Sequence, residues 1–152
     1  MLRFLSKIDQ VDLFLFTRVT MDSSSPFQSG QIVKLDHDHH CLYAEVIQVV
    51  TTRQVCWVRP LMLVEFSGED HSPEPPFWAS PPPQNLYNLR DSSDLIWPLK
   101  LFQPAIDTEV IPLLVQLDSP DGKNSQAATT AHQQLRTFIR QVWQAYPDAF
   151  PQ

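Results

Sequence analysis

The segment Asp36-His37-Asp38-His39-His40 holds the densest set of metal-ligating side chains in the chain. In an extended segment alternate residues share a side, so His37 and His39 fall together, and imidazole suits zinc, copper or nickel. One loop rarely completes a tetrahedral ligand set, and His71 and His132 are single and distant. The expectation is a polar, solvated hairpin loop with no metal. The alternative is a metal-binding or pH-responsive site built on His37 and His39 within the His37–His40 loop.

Acid–base catalysis would need two carboxylates in one cleft with separated pKa values. Glu45 with Glu65, or Asp107 with Glu109, are the pairs on offer, and their positions read as solvated strand and turn sites. No catalytic residue is assigned. Glycine is scarce: Gly30, Gly68 and Gly122 stand far apart, so the closely spaced glycines of phosphate-cradling loops cannot be written on this chain. The glycine-flanked serine elbow, paired-cysteine motifs and helical His-Glu metal motifs are missing too. No cofactor is expected. An enzyme, if this is one, would be of unfamiliar type.

Two places have the residue types of a contact surface. Trp57-Val58-Arg59-Pro60 sets an arginine beside a tryptophan, both common at interface hot spots. Trp57 lies in a run of Val and Cys and is expected in the core, with Arg59 as the contact residue. Phe77-Trp78 sits inside a proline-rich stretch, where large aromatics either anchor to the domain or form an exposed binding peptide. Arg59, Phe77 and Trp78 are thus the expected protein-contact residues.

The bulk numbers support a protein partner. With 11 basic against 17 acidic residues the net charge is −6, and no basic cluster exists to neutralise phosphates, so nucleic acid is not expected. No run reaches the roughly 20 apolar residues of a membrane helix. Asp9, Asp12 and Arg18 bracket the apolar run Val11–Phe16, which does not read as a secretory signal. A reducing cytoplasm is the expected location. At 152 residues and 43% hydrophobic content, residues 1–152 make a single domain. The expected function is a non-catalytic protein-binding or accessory factor within a larger complex.

Several elements must position these residues. A strand is expected over Val11–Val19, with Met1–Lys7 undecided and a loop over Met21–Gly30. Gln31–Leu35, Leu42–Val50, Gln54–Arg59 and Leu61–Phe66 read as short strands of an antiparallel meander. Pro60 demands a bulge, a bend or a switch to the sheet edge. A turn centred on Thr52 and Arg53 sets Cys56 opposite Val49 and Cys41 near Val64, too far apart for a disulfide. The stretch 67–94 carries six prolines and is expected to form neither sheet nor helix. Leu95–Phe102 resumes a strand around Pro98. Ile106–Leu117 fits a helix capped at Thr108 or a buried strand, and the strand is preferred. Residues 130–146 form an amphipathic helix with Leu135, Phe138, Ile139, Val142, Trp143 and Tyr146 on its apolar side. Together these predict a mainly β (α+β) fold: a small bent antiparallel sheet or SH3-like barrel, a proline-rich insertion and a C-terminal helix.

Overall fold

A computed structural model describes residues 26–67, 83–119 and 128–150. They form strands β1 (Ile32–His37), β2 (His40–Val50), β3 (Val55–Phe66), β4 (Pro83–Asn88), β5 (Leu95–Pro98) and β6 (Gln103–Pro104). Helices α1 (Asp107–Leu117) and α2 (Ala128–Ala145) follow. The expected strand at Val11–Val19 lies outside the described residues.

The sheet is antiparallel, in the order β4-β3-β2-β1-β6. β3 is long enough to serve two partners on one edge. Val55–Val58 pairs with β5, and Met62–Phe66 pairs with β4. Between these halves Pro60 faces Ala44 while Met62 faces Tyr43, which leaves Leu61 without an opposite residue. That is the bulge the proline requires.

The turns follow their residues. β1 and β2 join through Asp38 and His39 alone, with His37 opposite His40 and Asp38 at φ +53°. Aspartate tolerates this left-handed region better than most residues. The second hairpin turns over Thr51–Gln54, where Gln54 at φ +54° donates its side-chain amide to the Thr51 carbonyl at 2.7 Å. The resulting register sets Cys56 opposite Val49 and Cys41 opposite Val64, as the turn chemistry predicted.

Several expectations need correction. Among the described residues the sheet does not close into an SH3-like barrel but stays open, with six strands. In β2 the consecutive residues Cys41, Leu42, Tyr43 and Ala44 are all buried, so apolar groups leave both faces of this antiparallel pair. Each face takes its own helix. Leu35, Leu42, Val58 and Leu63 pack with Leu135, Phe138 and Val142 of α2. Cys41, Tyr43, Met62 and Val64 pack with Val110, Leu113 and Leu117 of α1.

The second correction is Asp107–Leu117, which is helix rather than strand. Its apolar residues at steps of three and four seat on the sheet, and Glu109 reaches back to the Ile106 N–H at 3.1 Å. The helix starts at Ile106 rather than at a Thr108 cap. The third correction is Pro83–Asn88, an edge strand inside the stretch expected to lack sheet. Pro83 is its first residue, the position where a strand tolerates a missing N–H.

α2 extends over Ala128–Ala145, close to the expected 130–146, and Phe138 and Val142 are buried. Trp143, expected beneath the helix, is instead 60% exposed. The stripe that meets the sheet is Ala131, Leu135, Phe138 and Val142, and Trp143 lies one residue, about 100°, round from it.

Candidate functional site

Along β3 successive side chains leave opposite faces. Cys56 and Val58 enter the core under α2, so Trp57 and Arg59 emerge on the α1 side. The buried contacts of α1 lie with Cys41, Tyr43, Met62, Val64 and Leu86, toward the other end of the sheet. Trp57 is therefore 37% exposed rather than in the core as expected. Ile96 of β5 pairs directly with Trp57, shares its face, and is 65% exposed.

Asp94, just before β5, ties these residues together. Trp57 Nε1–H donates to its Oδ2 at 2.9 Å, and Arg59 donates through Nε to Oδ1 at 3.1 Å and through Nη2 to Oδ2 at 3.4 Å. The Arg59 bonds, followed by the Trp57 bond, hold the Asp94 carboxyl below its ordinary range against partial desolvation. The Asp94 bond and charge, helped by Glu45 directly across on β2, raise the Arg59 guanidinium above its ordinary value. A carboxylate so filled with donors is a poor proton acceptor. The cluster fixes an indole face and a guanidinium in place at an open surface.

The acid pairs on offer in the sequence do not form a shared catalytic cleft. Glu45 faces Arg59, whereas Glu65 lies opposite His40 toward the far end of β3. Asp107 is exposed, but Glu109 accepts Lys34 Nζ at 3.0 and 3.1 Å and Tyr43 Oη at 2.9 Å. Burial pushes the Glu109 carboxyl up, and the Ile106, Lys34 and Tyr43 hydrogen bonds outweigh it and hold the group below its ordinary value. This is an anchor for α1. The nucleophilic side chains in the core are disarmed by burial. Cys41 and Cys56 are unbridged, with Cys41 pushed well above its usual range and Cys56 to about 11. Tyr87 rises to about 12 through burial and its bond to Glu65.

The histidine segment is not the solvated loop it was expected to be. Asp36 and His37 belong to β1, His40 begins β2, and only Asp38 and His39 turn. The His37 side chain is 14% exposed and stands edge-on to Phe138 at 6.4 Å and Tyr146 at 5.9 Å. His40 tilts against the same Phe138 ring at 6.4 Å. Thus His37 is matched with His40 across the hairpin, while His39 is exposed at the tip. Among the described residues no group of three or more His, Cys, Asp or Glu side chains is placed to hold a metal ion.

Phe77 and Trp78 lie outside the described residues. The ends of their stretch are visible: Phe66 pairs with Pro83, beside the histidine turn. Arg59 sits in the other half of β3, against β5 and Asp94. A shallow groove of about 540 Å³ opens between Pro26, Phe27, Gln54, Leu99, Phe102 and Pro104. Among the described residues Lys100 is the one charged side chain on its wall, which offers no acid or nucleophile.

Sequence reasoning singled out Arg59 by its residue type and did not name Asp94, its partner here. Asp94 is 35 positions away and meets Arg59 only because β5 pairs with β3. Comparison with protein families, with curated proteins and with solved structures returns no match to this chain. Among the described residues no helix is long and apolar enough to cross a membrane.

Proposed function

We propose that this protein is a non-catalytic accessory factor that binds another protein through the sheet face of Trp57, Arg59 and Ile96. The observation that carries the reading is the convergence of Trp57 and Arg59 on Asp94 at an exposed surface. Ordering a side chain at an interface costs roughly 0.5–1.5 kcal/mol, and Asp94 orders both before any partner arrives. Tryptophan and arginine are also the types most enriched at interface hot spots. The unbridged thiols of Cys41 and Cys56 accord with a reducing cytoplasm as its setting.

Photo-crosslinking tests this in the native host. A benzoyl-phenylalanine at Ile96, on the proposed face, should give one discrete heavier adduct. The same probe at His39, exposed at the tip of the first hairpin and away from Trp57, should not give that adduct. Arg59→Ala should abolish it. Adducts only with a second copy of this chain, or a yield indifferent to Arg59, would reject the surface. Substrate turnover by the purified protein would reject the class.

A further inference from the structure

α2 covers one face of the sheet and turns its other side to solvent. That outer side has an unusual charge pattern. The helix contains Arg136 and Arg140 and no Asp or Glu over its 18 residues, in a chain whose acids outnumber its bases 17 to 11. Arg136, Arg140 and Trp143 follow a four-then-three spacing, which stacks them along one line of the helix surface. All three are exposed. Lys34, Arg59 and Arg90 each pair with a carboxylate, whereas Arg136 and Arg140 make no ion pair among the described residues.

Trp143 is exposed without being loose. Its ring lies against Phe150 at 5.9 Å, and Phe150 stands edge-on at 5.6 Å to Trp97, which is buried. The aromatic stack thus runs from the core to the surface and ends in an indole 60% exposed. Tyr146, 43% exposed, extends this apolar end. A short basic line leading into a braced aromatic cluster fits a ligand with carboxylates at one end and an apolar side chain at the other. Guanidinium takes carboxylate through paired hydrogen bonds, and the indole offers contact area at low entropic cost.

We propose that the outer face of α2 is a second docking surface, specific for an acidic amphipathic segment of a partner protein. Two arginines are too few for a nucleic-acid backbone, and they fall short of the roughly four to eight basic residues that hold an anionic lipid surface. The surface lies across the sheet from Trp57 and does not depend on that site, so the protein would bridge two partners or two parts of one.

The test uses the full chain, labelled with nitrogen-15, and a synthetic helical peptide of about 15 residues. The peptide carries two glutamates a turn apart and a leucine one turn on. Its control has glutamine for each glutamate. The acidic peptide should shift amide resonances within Ala128–Ala145 and leave those of β3 and β5 unchanged, weakening as salt rises. Arg136→Glu with Arg140→Glu should lower affinity about tenfold or more, and so should the glutamine control. Trp143→Ala should weaken binding of both peptides, and a melting curve for each variant confirms that it is folded. Absence of binding up to about 1 mM overturns the proposal. So does equal affinity for the two peptides, or shifts centred elsewhere. Tighter binding of polyuridylate or phosphatidylserine vesicles to the same face would reject a protein partner in favour of those occupants.

Discussion

The backbone N–H of Phe66 donates to the carbonyl oxygen of His39 at 2.7 Å, tying the last residue of β3 to the tip of the first hairpin. Phe66 also pairs with Pro83, so the stretch 67–82 leaves and re-enters the sheet at one point. The two ends of the proline-rich stretch, Phe66 and Pro83, thus lie beside the histidine turn, which stands far from them in the sequence. The Trp57–Arg59–Asp94 cluster belongs to the other half of β3.

Because Phe66 and Pro83 are already paired, the stretch between them can be shortened without moving either strand. Replacing residues 68–82 by a Gly-Ser linker of about four residues removes loop-closure entropy and should raise stability by about 1 kcal/mol. Urea unfolding measures it. A loss of about 2 kcal/mol or more would instead show that Phe77 or Trp78 anchors to the domain.

The Lys34–Glu109–Tyr43 cluster predicts a pH profile. Glu109 sits below its ordinary pKa in the folded state, so its contribution is present above the usual carboxylate range near 4.3 and is lost as pH falls through the lowered value. Burial pushes Lys34 down, but the Glu109 bond and charge raise it overall. Its contribution is therefore present below the usual lysine range near 10.4 and is lost as pH rises through the raised value. Glu109→Gln should cost about 1–3 kcal/mol at neutral pH and flatten the acid limb of the stability curve. Denaturant titrations at neutral and acid pH decide it. An acid limb as steep as in the wild type would remove Glu109 as its cause.

How much of this was readable beforehand depends on how far each determinant lies along the chain. The register of β2 and β3 was legible, because Thr52 and Arg53 fix the turn and with it the opposition of Cys56 and Val49. The open sheet was not, since a run such as Cys41–Ala44 does not say whether its second face meets a barrel interior or a helix. Val110, Leu113 and Leu117 satisfy a strand or a helix locally; the Lys34 bond that helps seat the helix reaches across 75 positions. In β4 the prolines around Asn85–Asn88 hid an apolar pair, Leu86 and Tyr87. At the candidate site the sequence pointed to Trp57 in the core and Arg59 outside; strand alternation and the placement of α1 instead leave both on one open face.

Burial along α2 separates two aromatic residues that the sequence had grouped. Phe138 is 1% exposed beneath the helix, and Phe138→Ala should cost about 3–5 kcal/mol. Trp143 contacts Phe150 from the outside, and Trp143→Ala should cost about 1 kcal/mol. Both values come from one set of urea curves. Equal losses would mean that Trp143 is buried after all.

The Asp94 cluster gives the most specific expectation, because its bonds are local and visible by resonance. Trp57 Nε1–H donates to Oδ2, so the indole proton should resonate downfield of a solvated indole and exchange slowly with water. Asp94→Ala should move that signal upfield and speed its exchange, while the melting midpoint stays nearly unchanged because the cluster is at the surface. Asp94→Asn keeps one acceptor oxygen and should fall between the two. The pH dependence has a fixed sign. Arg59 and Trp57 hold the Asp94 carboxyl below its ordinary value, so the indole signal should stay constant down through the usual aspartate range near 3.9 and titrate only beneath it. A signal that titrates above that range would show that Asp94 is not held by these donors. If Asp94→Ala leaves the indole resonance where it was, Trp57 is not pre-positioned, and the surface proposed for partner binding loses its main support.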